Sequence, residues 1–191
     1  LTDLNFLISP RYTALTYSLF TFHYSLYSGC PFWMRPGKGC FLMDLTIPVK
    51  KVRPGAVLPR RATAGSAGMD LCACLDAPVT IAPGERAVIP TGLAFAIPDP
   101  GCAIFLYARS GLGIKHGLTL SNGVGVIDSD YRGEVCVGLC NLGAGPYTIQ
   151  PGERVAQMIA APVFAAQLTE TDTLDDTDRG AGGFGSTGRL A

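Results

Sequence analysis

Several things are scarce in this chain, and each shortage removes a class of function. There is no excess of either charge: fifteen Lys and Arg offset fifteen Asp and Glu. General nucleic-acid binding draws its affinity from neutralising phosphates with a basic face, and such a balance gives it no electrostatic basis. Histidine is limited to His23 and His116, and none of the seven cysteines forms a Cys-x-x-Cys pair, so the ligand spacings of a zinc centre are missing. Long apolar runs are missing too. The stretch 15–27 is broken by Thr, Ser and His23 and falls short of the roughly 18 uninterrupted residues of a membrane span. Neither histidine has a motif around it, so a nucleophile–base pair is absent and covalent catalysis is disfavoured. His116, beside Lys115, reads as a solvated residue.

Glycine and proline are plentiful, at 24 and 14 residues, which suits short strands joined by turns. Strand signals recur from Leu45 onward. Leu45, Ile47 and Val49 alternate, with Pro48 marking an edge. Met69–Leu75, Val79–Ile81, two strands within Ala87–Ile97 and a buried strand at Cys102–Tyr107 follow. Ser110–His116 reads as a single helical turn. Glu134–Cys140 and Tyr147–Ile149 are expected to pair across the intervening loop, and Val155–Ala160 is the last clear strand. Short strands at regular spacing with almost no helical period indicate an all-β sandwich or barrel. The cysteines are expected to be buried, reduced thiols acting as small apolar residues.

The ends differ from the middle. Residues 1–42 hold one acid, Asp3, and three bases, Arg11, Arg35 and Lys38, among many aromatic and hydroxyl side chains. Two readings stand: an organelle transit peptide, or upstream sequence joined ahead of a natural start at Met43. Localisation follows the choice, organellar in the first case and cytoplasmic in the second. Residues 43–164 carry the strand pattern. Residues 165–191 begin with an acidic run, Glu170 to Asp178, and end in RGAGGFGSTG. The run reads as a solvated segment, and the tail suits a loop that cradles phosphate through its backbone amides.

The richest stretch is Thr119–Val135, TLSNGVGVIDSDYRGEV. Asn122-Gly123 between β-type runs is a hairpin signal. Asp128 and Asp130 follow at the edge of a buried strand, with Tyr131 close behind. Backbone N–H and C=O groups at a tight hairpin tip can read the edge of a flat heterocycle.

This stretch resembles the third motif of the trimeric dUTP pyrophosphatases (dUTPases). Ala67-Gly68-Met69-Asp70-Leu71 resembles the first motif of that family, and Ala108–Gly113 (ARSGLG) the second. Gly152–Gln157 (GERVAQ) resembles the fourth, and Arg179–Gly188 the fifth. The five occur in family order. Met69 stands where an aromatic is common, a conservative apolar change.

The resemblance implies a jelly-roll-like subunit with a flexible C-terminal arm. It also implies a homotrimer with shared active sites, and Mg²⁺-dependent hydrolysis of dUTP to dUMP and pyrophosphate. That activity limits uracil in DNA and supplies dUMP for thymidylate synthesis. Asp128 would position the attacking water, and Gln157 would stand near it. Asp70 would hold Mg²⁺ through water. Arg109, Ser110 and Gly111 would contact phosphates. Asn122, Gly125 and Val126 would read uracil, and Tyr131 would pack under the deoxyribose. Arg154 would join the site or serve as an ion-pair partner. Arg179, Gly185, Ser186, Thr187 and Gly188 would close over the phosphates, with Phe184 stacked on the base. Two rivals remain: a dCTP deaminase of related fold, revealed by ammonia release, and a non-catalytic dUTP-binding regulator, revealed by binding without turnover.

Overall fold

The computed structural model describes residues 45–184. Its elements, in order, are β1 (Val49–Lys51), β2 (Met69–Cys72), β3 (Val79–Ile81), β4 (Arg86–Pro90), β5 (Leu93–Phe95), β6 (Cys102–Ala108), α1 (Ser110–His116), β7 (Leu118–Leu120), β8 (Gly125–Ile127), β9 (Cys136–Asn141), β10 (Tyr147–Ile149) and β11 (Arg154–Pro162). Every strand pair is antiparallel, in four small sheets ordered β1-β5, β10-β3, β2-β11-β6-β8 and β4-β9-β7. The all-β expectation holds.

Alternation along the strands builds the core. Val137, Leu139 and Asn141 of β9 point inward, as do Leu106 and Ile104 of β6 and Met158 of β11. They meet Leu71, Ile89, Leu93, Leu118 and Ile149 in one cluster. The long pair β6–β11 runs in register from Ala108 opposite Ala156 to Cys102 opposite Pro162. β2 pairs along the outer edge of β11 and β8 along the outer edge of β6, in the same sheet.

Three expectations about pairing and turns need correction. Asn122-Gly123 does not close a hairpin, because β7 pairs with β9 while β8 pairs with β6. The turn carries the chain from one sheet to another. Gly123 has the expected positive φ of 73°, but Asn122 does not, so the mirror-image turn of a two-residue hairpin is not formed. Secondly, β9 and β10 do not pair; β10 pairs with β3. The cause is Asn141. Its buried Nδ2 donates to the carbonyls of Ile81 (2.9 Å) and Gly145 (2.8 Å), and its Oδ1 accepts from Gly143 N (2.8 Å). These bonds draw the loop 142–146 toward β3. Thirdly, α1 is a seven-residue α-helix rather than a single turn, stopped by Gly117 at φ 70°.

The cysteines also depart from expectation. Of those in the described residues only Cys102 is buried; Cys72, Cys74 and Cys140 are half-buried and Cys136 is exposed, all as free thiols. Cys30 and Cys40 lie outside the described residues.

Asn141→Ala is expected to destabilise the fold by about 3 kcal/mol, since each buried polar group left without its partner costs on the order of 1–3 kcal/mol. Denaturant unfolding measures this. A loss below about 0.5 kcal/mol, the range of an ordinary surface substitution, would mean that the loop is held by other contacts.

Candidate active site

The site begins with strand register. Gln157 on β11 stands opposite Asp70 on β2 and opposite Tyr107 on β6. Residues directly opposite share a sheet face. Asp70, Gln157 and Tyr107 therefore form a row across three strands, on the face away from Leu71, Met158 and Leu106. Strict alternation would turn Arg154 to the other face. A bulge prevents this: Arg154 pairs with Cys72 and Ala156 with Leu71, which leaves Val155 as the extra residue. Val155 and Ala156 are both buried, and Arg154 comes up beside Gln157. Bulges commonly re-aim a side chain in this way.

Two arginines converge on Asp70. Arg109 follows β6 and is the N-cap of α1, in extended conformation with no side-chain capping bond of its own. Its side chain is free to cross to β2, where Nε donates to Asp70 Oδ1 (3.1 Å), while Nη1 donates to the carbonyl of Arg154 (2.9 Å). Arg154 Nη1 donates to Asp70 Oδ2 (3.0 Å). Asp70 is mostly buried, with 15% of its side chain exposed, against 53% for Arg154. Ser110 and Gly111 open α1, so their N–H groups have no intrahelical partner, and nothing lies within 4 Å of the space beside Gly111. The result is a cationic face with donors at its rim, suited to a polyphosphate.

Cys72 lies on the same face as Asp70. Burial, reinforced by the Asp70 charge, pushes its thiol up from the ordinary value. It stays protonated at neutral pH, a poor state for a nucleophile. Tyr107 also stands on this face and is exposed rather than buried as the strand pattern alone suggests. Its signal was its polar edge in the otherwise apolar run of β6.

Motif three forms its own cluster. Gly125 is buried, and a Cβ there would meet Leu106 Cβ at 2.9 Å, so β8 can lie this close to β6 only as glycine. Asn122, Gly123, Val124 and Val126 are exposed, presenting side chains and backbone to solvent. Beyond β8, Tyr131 N donates to Asp128 O (3.2 Å), closing a turn that leaves the Asp128 carboxylate exposed. The Tyr131 ring folds back over Gly133, and its hydroxyl donates to Glu134 O (3.1 Å).

These two clusters are not brought together in one chain. Ile127 is opposite Ile104 on β6, so Asp128 is level with residue 103, four residues along from Tyr107. Three strand spacings separate β8 from β2. At about 3.3 Å per residue and 4.8 Å per strand, Asp128 and Asp70 are roughly 20 Å apart. Among the described residues neither Arg179 nor Phe184 hydrogen-bonds to the row. Arg179 Nε donates to Gly182 O (3.0 Å) within its own turn, and Phe184 is fully exposed. Gly185, Ser186, Thr187 and Gly188 lie outside the described residues, as do residues 1–42. Among the described residues no three His, Cys, Asp or Glu side chains converge as a metal cage.

Comparison with known proteins decides the family. The dUTPase family model matches residues 55–188, most of the chain and all five motifs. The chain belongs to the dUTPase family. The deoxyuridine 5'-triphosphate nucleotidohydrolase of Shigella flexneri serotype 5b (strain 8401) is 52% identical over 147 residues, which cover 77% of this chain and 97% of that protein. That of Burkholderia cenocepacia (strain HI2424) is 51% identical, over 77% and 99%. A mutant dUTPase of Staphylococcus bacteriophage 80alpha, solved with dUpNHpp, superimposes with a TM-score of 0.68 at 28% identity, over 75% of this chain and 99% of its own. A mutant dUTPase from phage phi11 of S. aureus, described with a structural Mg(II) ion, gives 0.61 at 25% identity, over 67% and 97%. This dUTPase is thus a dUTP diphosphatase, a hydrolase of nucleotide metabolism with a small-molecule nucleotide substrate, built on the β-rich fold of its family.

Proposed function

We propose that this dUTPase hydrolyses dUTP to dUMP and pyrophosphate by in-line attack of an Asp128-oriented water on the α-phosphorus, in sites shared between the subunits of a homotrimer. The observation that carries this reading is the division of the motifs. Motifs one, two and four form one cationic face around Asp70, while motif three presents an exposed carboxylate and an exposed ring roughly 20 Å away by strand geometry. Neither half is a complete site. A cyclic assembly lets the motif-three edge of one subunit face the Asp70 row of the next.

In such a site Arg109, Ser110, Gly111 and Arg154 bind the triphosphate. Asn122, Gly125 and Val126 pair with uracil, whose C=O, N–H, C=O edge differs from that of cytosine. A wrong base leaves buried groups unpaired, which gives large discrimination. Tyr131 packs under the deoxyribose and leaves no room for a 2′-hydroxyl. Arg179, Phe184, Gly185, Ser186 and Thr187 come from the C-terminal arm and close over phosphates and base, excluding water other than the nucleophile. Asp128 accepts the proton of that water as it attacks, and Gln157 hydrogen-bonds nearby.

The donor set also fits Mg²⁺. That ion keeps several waters and takes direct ligands from substrate phosphates rather than from a carboxylate cage. Asp70, with Gln157 beside it, would hold it through water; when bound, it neutralises phosphate charge. The phi11 relative, described with a structural Mg(II) ion, is a case of a dUTPase that takes up this metal. The cellular role would be to keep uracil out of DNA and to supply dUMP for thymidylate synthesis.

The test is pyrophosphate release by the full chain with Mg²⁺, given dUTP, dCTP, dTTP and UTP in parallel. Release from dUTP alone is the expected result. Ammonia from dCTP, or dUTP binding without turnover, would replace this reading with one of its rivals.

A further inference from the structure

Three segments far apart in sequence meet at Gly92. Val52 N donates to Gly92 O (2.8 Å), and Gly92 N donates to Glu134 Oε1 (2.9 Å). Arg53 Nε donates to the same Glu134 oxygen at 2.6 Å. Gly92 has φ 70°, and a Cβ there would meet Ala56 Cβ at 2.7 Å and Cys74 Sγ at 2.9 Å, so the junction closes only around glycine. The next residues are stitched as tightly. Val135 N donates to Leu93 O (2.8 Å), and Thr91 Oγ1 donates to Val135 O (2.6 Å).

What this junction holds is the base of the Tyr131 loop. The Tyr131 hydroxyl has one protein partner here, the backbone carbonyl of Glu134. Tyr131 is 45% exposed, and its ring rests on Gly133, which offers no side chain. Its position is therefore set mainly by where the Glu134 backbone lies. That backbone is fixed on one side by Val135 and on the other by the Glu134 side chain. The Arg53 hydrogen bond holds the Glu134 carboxyl below its ordinary value although burial opposes this, so the pair is charged at neutral pH. Arg53 is about half exposed, at 47%. Such pairs contribute little to global stability, and geometry is what this one supplies.

We propose that Arg53 and Glu134 are positioning residues for substrate selection: their ion pair, closed through Gly92 N, fixes Tyr131 against the sugar and so sets discrimination against ribonucleotides. This rests on the reading of Tyr131 as the deoxyribose contact. A ring free to swing by an ångström would admit a 2′-hydroxyl that the clamped ring excludes.

The experiment compares kcat and KM for dUTP and UTP in the full chain and in R53A, E134Q, the double variant and Y131A, with thermal unfolding of each. The expected result is a fall in the dUTP/UTP ratio of kcat/KM by about tenfold or more in R53A and E134Q, since misplacement by about 1 Å can cost up to 100-fold. The loss should fall mainly on KM for dUTP and on gained UTP turnover, with little change in Tm. The double variant should be no worse than the worse single one. Y131A marks the limit of lost selectivity. Unchanged selectivity in both R53A and E134Q, with Y131A unselective, would overturn the clamp. Unchanged selectivity in Y131A would instead overturn the sugar-contact reading, and the clamp with it.

Discussion

Asp128→Asn is expected to lower dUTP turnover by about 100- to 10,000-fold, the range that a positioned general base contributes. Folding and nucleotide binding should survive. The Asp128 carboxylate is exposed and takes part in no ion pair among the described residues, and the turn it sits in is closed by its backbone carbonyl, which Asn retains. Its effect on stability should stay within about 0.5 kcal/mol, as for other surface substitutions. The loss should appear in kcat with the dissociation constant for dUTP nearly unchanged, because an amide can hydrogen-bond a water but cannot take its proton at neutral pH. Rapid-quench turnover together with calorimetric binding separates the two. Turnover within a few-fold of wild type would remove Asp128 from the base role.

Asp70→Asn should behave differently. Asp70 is mostly buried between Arg109 and Arg154, so the amide loses charge-assisted bonds to both and leaves two arginines facing each other. Stability and activity should fall together. Two carboxylates of the same catalytic reading thus have different signatures, and the difference comes from their surroundings. One is the anchor of a packed ion-pair triad, and the other is displayed on a turn.

Much of the fold was legible because it is written locally. The apolar runs of β6 and β11 and the turn glycine at Gly123 each follow from a few adjacent residues. What escaped is non-local. Nothing near Asp70 indicates that it will lie opposite Gln157, and that pairing is what makes a site of two separate motifs. The bulge at Val155 is similarly hidden. Alternation read from sequence puts Arg154 out of phase with Gln157, and the motif resemblance leaves it open between a site residue and an ion-pair partner. In the structure it is on the site face and in an ion pair at once. The Asn122-Gly123 error has the same origin. The local turn signal was right about Gly123, but which strands the turn joins is decided by β6 and β9, each of which already offers a free edge. Asn141 shows the reverse case: one buried side chain overrides a hairpin that its flanking sequence favours.

The roughly 20 Å between Asp70 and Asp128, by strand geometry, has its largest consequence in mixed assemblies. Asp70→Asn and Asp128→Asn chains should each be nearly inactive alone. Mixed in equal amounts under conditions that let subunits exchange, they should recover about a quarter of wild-type activity if each site takes its two carboxylates from neighbouring subunits of a cyclic trimer. The reasoning is combinatorial. Three in four randomly assembled trimers contain both kinds of chain. Going round any such ring, one of the three interfaces joins an intact Asp70 from the Asp128→Asn chain to an intact Asp128 from the Asp70→Asn chain. The other two interfaces each lack at least one carboxylate. If instead a single chain supplied both groups to one site, no chain in the mixture would hold both, and mixing would restore nothing. The outcome depends only on which subunit each carboxylate comes from. With thermal unfolding and sedimentation showing that the Asp70→Asn chain stays folded and assembled, the mixture tests the division of the motifs independently of the exact role assigned to either residue, and one as inactive as its parents would mean that the two clusters serve separate purposes.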